Sequence, residues 1–267
     1  MQVPLDARAD EIGAEIGVFG GSGFYDLLPD GDDVELVTPF GDPAALVRVG
    51  DLAGRRVAFL ARHGRSHEFA AHRVPFRANV WALGALGVRS IVAPCSVGAL
   101  QSHLSVGDFV VLDQLVDRTT GRTGTFHDVG AADGLPGSDG PVHHQTFADP
   151  YTPSVRRALL SAATELNGPI VHDGGTMVVI NGPRFSTRAE SRWYASMGWD
   201  VVNMTGAPEA VLAAEAGIPY ATVALVTDRD VGDGSDEAVT MDAVMDVVRR
   251  NVAGVKTLIE LAVPSLP

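Results

Sequence analysis

The chain reads as an α/β protein: a single domain on a mixed central β-sheet flanked by helices. Three observations carry that reading. Short β-branched runs ending in glycine or polar turns alternate with longer amphipathic or alanine-rich segments through all 267 residues. The stretch Asp200–Asp230 has the form strand–helix–strand over about 30 residues, the size of a parallel crossover. The Gly/Asp/Pro-rich stretch 121–145 changes nothing in style on either side, so it reads as a long loop inside one domain. With 46% hydrophobic residues, such a domain can bury a substantial core.

The elements follow in order. Residues 1–14 form a polar N-terminal tail, and the domain spans 15–267. Glu15–Phe19 is a buried strand running into Gly20-Gly21-Ser22-Gly23, a turn that offers backbone N–H groups and a hydroxyl to an anion. Strands near Val34–Val37, Ala45–Val49 and Arg56–Ala61 are separated by turn residues, which predicts a meander. The third leads into Arg62-His63-Gly64-Arg65-Ser66-His67, a local anion site in an acidic protein. Asn79–Leu86 is helical, Ser90–Ala93 a buried strand, and Pro94–Ala99 a small-residue turn that lets backbone approach a ligand. Phe109–Leu112 and Gly175–Ile180 are strands; Asp149–Leu166 and Thr187–Met197 are helices.

In the last third, strands Asp200–Asn203 and Tyr220–Thr227 flank the helix Glu209–Ala216, which Gly217-Ile218-Pro219 stops. Ligands bind beyond the carboxyl ends of strands in open parallel sheets. Met204, Thr205, Asp228 and Asp230 are therefore expected to converge on one pocket. Asp242–Ala262 is a long amphipathic helix with Met241, Val244, Val248, Val252, Val255 and Ile259 on one stripe.

Composition excludes several classes. A net charge of −13 argues against nonspecific binding to nucleic acid or an anionic membrane. Among 20 basic residues only Lys256 is lysine, in the C-terminal helix, so a P-loop or Schiff-base lysine elsewhere is excluded. The single Cys95 allows neither an intrachain disulfide nor a cysteine-based zinc cluster. No signal peptide or long apolar span is evident, which makes a cytoplasmic location the expectation. Gly17, Gly20 and Gly23 fit a dehydrogenase-like glycine pattern. No helix can follow, because Pro29 and Gly31 arrive almost at once, and no Tyr-x-x-x-Lys pair exists.

Several stretches together match one family: VFGGSGFYD, FLARHGRSHEF, RANVWALGALG, DQLVDRTTGR, GTMVVINGPRFSTRAES, VVNMTGAPEAVLAAEAGI and the closing TDRD. From about Ile16 to Leu258 the sequence resembles the trimeric purine nucleoside phosphorylases, and within them the branch acting on 5′-methylthioadenosine. The resemblance implies a mixed sheet wrapped by helices, no metal or cofactor, inorganic phosphate as co-substrate, and a homotrimer or a dimer of trimers. It places the phosphate site on Ser22, Arg62, His63, Cys95 and Thr205; Cys95 stands where several relatives carry a threonine hydroxyl. It sets the ribose on Met204, the base near Phe185, and the base edge at Ser186, Asp228 and Asp230. Ser96 would line the nucleoside pocket, Val239 and Val244 the 5′ pocket, and His144 would reach a neighbouring subunit's 5′ end.

These residue types suit phosphorolysis of an N-glycosidic bond. Arg62 and His63 supply charge-assisted donors to phosphate, and Ser22 and Thr205 add hydroxyls. The bound anion then faces a cationic sugar carbon. A carboxyl group with a raised pKa protonates the leaving purine, with Asp228 and Asp230 as the candidates. A carboxylate at the base edge favours a 6-amino over a 6-oxo purine. Within the class the rival is a phosphorylase for another 5′-substituted purine nucleoside (5′-halo-5′-deoxyadenosine, adenosine or methylthioinosine). A non-catalytic nucleoside binder and a hydrolase on the same scaffold are the readings from other classes, and product analysis with and without phosphate separates the hydrolase.

Overall fold

The computed structural model describes residues 13–25, 27–127, 144–230 and 238–267. Among these, the first strands are β1 (Ile16–Gly20), β2 (Asp32–Val34), β3 (Val47–Leu52), β4 (Arg55–Ala61), β5 (Ser90–Val92) and β6 (Cys95–Ala99). Then come β7 (Phe109–Val111), β8 (Gln114–Asp117), β9 (Val171–Asp173), β10 (Thr176–Val179), β11 (Val201–Asn203), β12 (Tyr220–Ala221) and β13 (Val223–Asp228). The helices are α1 (Phe76–Ala85), α2 (Pro153–Ala163), α3 (Arg188–Ser196), α4 (Gly206–Glu215) and α5 (Met241–Ala262).

The expected mixed α/β architecture holds, with the strands resolved into two hydrogen-bonded sheets. One runs β12-β5-β1-β4-β3-β2 and the other β8-β10-β11-β6-β13-β7-β9. All five residues of β1 are buried, as befits a strand between parallel neighbours β4 and β5. The predicted meander is β2–β3–β4, paired antiparallel.

Two chain segments pass from the first sheet into the second. β5 leads to β6 across Ala93-Pro94, and β12 leads to β13 across Thr222. Both β5/β12 and β6/β13 are parallel pairs, so the crossing is made by a pair of neighbours. Pro94 carries no N–H and cannot extend a ladder, which breaks the pairing there.

Two expectations are corrected. The stretch Pro94–Ala99 is not a turn: its residues 95–99 are β6, a strand in the middle of the second sheet. Their small side chains masked the strand signal. The unit around α4 is not a parallel crossover either. β6 lies between β11 and β13, antiparallel to the first and parallel to the second, so β11 and β13 oppose each other. The parallel crossover is one element earlier, β10–α3–β11.

The helices end and begin as their sequence dictates. Thr187 and Glu190 form a reciprocal capping box at the start of α3. α4 stops where Gly217 takes a φ of 69°, a left-handed conformation that costs glycine nothing. Four residues of the predicted α5 stripe, Val244, Val248, Val255 and Ile259, are buried against the second sheet and α2. Among the described residues no helix is long and apolar enough to cross a membrane.

Candidate active site

A cavity of about 480 Å³ lies along β6, where the two sheets meet. In the register of β6 and β13, Cys95 faces Ala224 and Gly98 faces Asp228. Three residues of strand separate these positions by ~10 Å. The cavity therefore has two ends held apart by rigid backbone.

At the Cys95 end, Gly21 packs over Pro94 O and Cys95 Cα and beside Arg62 Nη1, which brings Ser22 to the cavity wall. Arg62 closes β4 and its residue is only 1% exposed. Its Nε and Nη2 donate to the two oxygens of Glu209 at 2.5 and 2.8 Å, and Nη1 donates to Pro94 O at 3.3 Å. Burial lowers the Arg62 pKa, and the Glu209 carboxylate overrides it, so the guanidinium stays charged. Tyr220 Oη donates to Glu209 Oε1 at 2.8 Å, and Thr222 Oγ1 donates to Tyr220 Oη at 3.2 Å.

Arg62 is thus a charged but not a free cation. Its charge is matched by Glu209, and it turns its Nη1 edge toward the cavity.

His63, expected as a charge-assisted donor, differs in its charge. Burial pushes its pKa down to about 4, with the nearby Arg62 charge adding to the effect against a hydrogen bond to Phe69 O. It is neutral at pH 7. Phe69 O can only accept, so Nδ1, 2.8 Å away, carries the proton and Nε2 is left as an acceptor. His67 stacks on His63 with ring centroids 4.5 Å apart, and its Nδ1 pairs with Tyr25 Oη at 2.8 Å.

Thr205 precedes α4 but makes no cap hydrogen bond. Asn203 serves the turn instead, its Oδ1 accepting from Thr205 N at 2.6 Å and Gly206 N at 2.8 Å. Asn203 Nδ2 donates to Ser96 O, tying this turn to β6, and the Thr205 hydroxyl at the cavity wall itself donates a long 3.4 Å bond to Asn203 Oδ1. Burial pushes the Cys95 thiol up to about 12, so it is a neutral thiol at this wall.

At the Gly98 end stand two carboxyl groups. A Cβ on residue 98 would lie 2.8 Å from Asp228 Oδ1 and 3.2 Å from Asp230 Cβ, so only glycine lets both aspartates pack against β6. Burial raises the Asp228 pKa to about 6, opposed by a 2.9 Å hydrogen bond from Thr227 Oγ1 and assisted by the charge of Asp230. Asp230 is 4% exposed. Burial raises its pKa, while Ser191 and Ser186 beside it pull the other way. Neither serine contact has the geometry of a full hydrogen bond: Asp230 Oδ2, Ser186 Oγ and Ser191 Oγ are all buried without one.

Between the ends, Ser96, Met204 and Phe185 line the cavity, and α5 contributes Val244 with the half-exposed Met241. The sequence-predicted residues Ser22, Arg62, His63, Cys95, Thr205, Ser186, Asp228 and Asp230 are thus brought to one cavity with these. Two are not. Val239 packs half-buried against a core cluster that both sheets share, and His144 is exposed; neither lines the cavity of this chain.

Sequence reasoning missed Glu209 and assigned no role to Glu68 or Met241, both at the wall. Glu209 had a readable signal, a lone charge in the apolar run GAPEAVLAA. Met241 was placed only on the apolar stripe, and the fold turns the start of α5 toward the cavity. Among the described residues no group of His, Cys, Asp and Glu side chains is arranged to hold a metal ion.

A cavity with hydroxyls and an ion-paired arginine at one end and a protonatable carboxyl at the other can bind an oxyanion and protonate a leaving group across it. Comparison with known proteins agrees with that chemistry. Residues 15–263 match the model of the family described as the phosphorylase superfamily. The S-methyl-5′-thioadenosine phosphorylase of Mycolicibacterium smegmatis is 51% identical over 245 residues, covering 91% of this chain and 88% of its own. The purine nucleoside phosphorylase of Streptomyces coelicolor is 47% identical, covering 97% of this chain and 91% of its own. A methylthioadenosine phosphorylase from Schistosoma mansoni, solved in complex with adenine, aligns with a TM-score of 0.88 at 39% identity, covering 94% of this chain and 91% of that one. The chain belongs to the phosphorylase superfamily.

Proposed function

We propose that the protein cleaves the N-glycosidic bond of 5′-methylthioadenosine with inorganic phosphate, giving adenine and 5-methylthioribose 1-phosphate. The observation that carries this reading is the two-ended cavity, with Ser22, Arg62 and Thr205 at one end of β6 and Asp228 and Asp230 at the other. The relatives named for methylthioadenosine phosphorolysis support it.

Phosphate accepts from the Ser22 and Thr205 hydroxyls and the Nη1 edge of Arg62, beside the Cys95 thiol. A neutral His63 accepts from the hydroxyl of a hydrogen phosphate through Nε2. As the bond to the purine lengthens, positive charge grows on the sugar carbon and the adjacent anion stabilises it. The sugar rests on Met204, and Phe185 stacks on the base. Asp228 hands a proton to N7; with a pKa of about 6, about a tenth of it is protonated at pH 7 in the free protein. Asp230 and Ser186 meet the 6-amino group. A 6-oxo group in its place would leave a buried polar mismatch costing about 1–3 kcal/mol, roughly ten- to a hundredfold in preference.

The 5′ substituent lies toward Ser96 and Val244. The proposed unit is a single domain of residues 15–267 that assembles as a cytoplasmic homotrimer, in which His144, with Val239 nearby, completes a 5′ subsite. The reaction calls for no metal or redox cofactor.

The test is adenine release from a panel of 5′-substituted adenosines with phosphate varied. Release should require phosphate and yield the sugar 1-phosphate. Equal rates in phosphate-free buffer, with free sugar as product, would replace phosphorolysis by hydrolysis. The purine nucleoside phosphorylase among the relatives favours a second reading, a phosphorylase for adenosine or another 5′-substituted purine nucleoside. The ranking within the same panel decides between the two.

A further inference from the structure

Three parallel strands of the second sheet, β8, β10 and β11, lie side by side and end at one edge, with Asp117, Val179 and Asn203 in register. Backbone pairing carries on to Arg118 N–Val179 O and Ile180 N–Asn203 O, both 2.9 Å. Beyond it, the continuation of β10 brings Pro183, Phe185 and Ser186 to the cavity, and that of β11 brings Met204 and Thr205. These two turns meet at Gly182, where a Cβ would collide with Met204 Sδ.

Arg122, on the continuation of β8, bridges both turns from behind. Its Nη1 donates to Ala207 O at 2.5 Å and its Nη2 to Asn181 O at 2.9 Å. Ala207 precedes Pro208 and is extended, with φ −116° and ψ 136°, so its carbonyl leaves the helical ladder of α4 and accepts from outside. The guanidinium lies over the Phe76 ring, 5.3 Å from its centroid. Beside it, Thr120 N donates to Asn181 Oδ1 at 3.0 Å, and Asn181 Nδ2 donates to Thr120 O at 3.1 Å and Oγ1 at 3.0 Å. Arg122, Thr120, Asn181 and Ala207 do not line the cavity. Burial pulls the Arg122 pKa down to about 10, against the pull of Asp117, so it is charged at pH 7. Yet these donors go to neutral carbonyls, and Nε is buried with no hydrogen bond. A cation spent in this way calls for a reason.

We propose that Arg122 is the positioning residue of the site: its planar fork spans the turn that holds the base and the turn that holds sugar and phosphate, and fixes the gap between them. This deepens the reading given above and rests on it. Each ligand leans mainly on one turn, whereas the reaction needs both turns at once. Arg122→Ala should therefore lower kcat for 5′-methylthioadenosine about ten- to a hundredfold, the cost of a misplacement of up to about 1 Å. The Michaelis constant for phosphate and the calorimetric affinity for adenine should each change less than about threefold. Arg122→Lys should lose nearly as much kcat, because an ammonium is a point charge and not a fork. Added guanidinium ion should restore kcat to the alanine variant, and methylammonium should not.

A kcat within about twofold of wild type in either variant would overturn the proposal, as would affinities that fall in step with kcat. So would rescue by both cations alike, or by neither. If alanine does not fold, the lysine variant decides alone on the same split between kcat and affinity. A wild-type protein that releases no base from any purine nucleoside would overturn the underlying reading instead.

Discussion

Deleting one partner of the Arg62–Glu209 pair should destabilise the fold far more than deleting both. The side chains are 2% and 1% exposed, and two hydrogen bonds of 2.5 and 2.8 Å join them. Removing one member of such a pair leaves the other charge buried and unmatched, at about 3–5 kcal/mol, whereas an apolar replacement of both is often neutral. For a protein of this size each kcal/mol shifts the melting temperature by about 2–4 °C, so Arg62→Met or Glu209→Leu alone should lose about 6–20 °C. The double variant should recover most of that. Tyr220 Oη also bonds to Glu209, so Tyr220→Phe is added to the double to avoid an orphaned hydroxyl. Urea unfolding of the full cycle must be run without phosphate, because ligand binding alone raises apparent stability. Additive losses, with a coupling below about 1 kcal/mol, would refute the buried-charge account.

Two further outcomes follow from the site. Asp228 has its native pKa raised from 3.8 to about 6, so the folded state binds the extra proton and stability falls as pH rises across that interval. Asp228→Asn should therefore melt higher than wild type above pH 6, by up to about 3 kcal/mol at 1.36 kcal/mol per pKa unit, match it below about pH 4, and lose most adenine release; equal melting at pH 7.5 would contradict the buried carboxyl. His144→Ala should leave the Michaelis constant for phosphate unchanged while blurring discrimination among 5′ substituents, and mixing its subunits with Asp228→Ala subunits should restore some wild-type selectivity. A fully active monomer in sedimentation would rule that out.

What could be read from residues was local. The strands β1, β4 and β13 announce themselves as β-branched or apolar runs, and the end of α4 announces itself in Gly217. β6 did not, because Cys95-Ser96-Val97-Gly98-Ala99 is chosen for close approach, with Gly98 admitting two aspartates, and small residues carry little strand signal. The direction of β13 relative to β11 depends on β6, drawn from 100 positions earlier in the chain, and no local pattern records that insertion. The same holds at the site. The cluster RHGRSH marked an anion site, yet the partner that fixes the state of Arg62 is Glu209, 147 residues further along. Burial, which makes His63 neutral, is likewise a property of the whole packing.

The place where the sheets meet explains why a buried ion pair sits beside the cavity. The proposed phosphate end draws on both sheets, on the turn after β1 and Arg62 just past β4 from the first and on Cys95 and Thr205 from the second. The proposed base end lies on the second, where Asp228 at the end of β13 and Asp230 after it pack against Gly98 of β6. The placement of Ser22 and Arg62 against β6 therefore depends on how one sheet is set against the other. Both strands that join the sheets change over next to this point, at Ala93-Pro94 and at Thr222. The chain Arg62–Glu209–Tyr220–Thr222 spans the same junction: it starts just past β4, passes through α4 to β12, and ends on the linking residue itself. A nonpolar filling would occupy the volume, but it would tolerate sliding that fixed hydrogen-bond geometry does not. Misplacement of reactants by 1 Å is enough to cost about a hundredfold in rate. Loosening this network should thus lower kcat before it weakens the binding of either substrate.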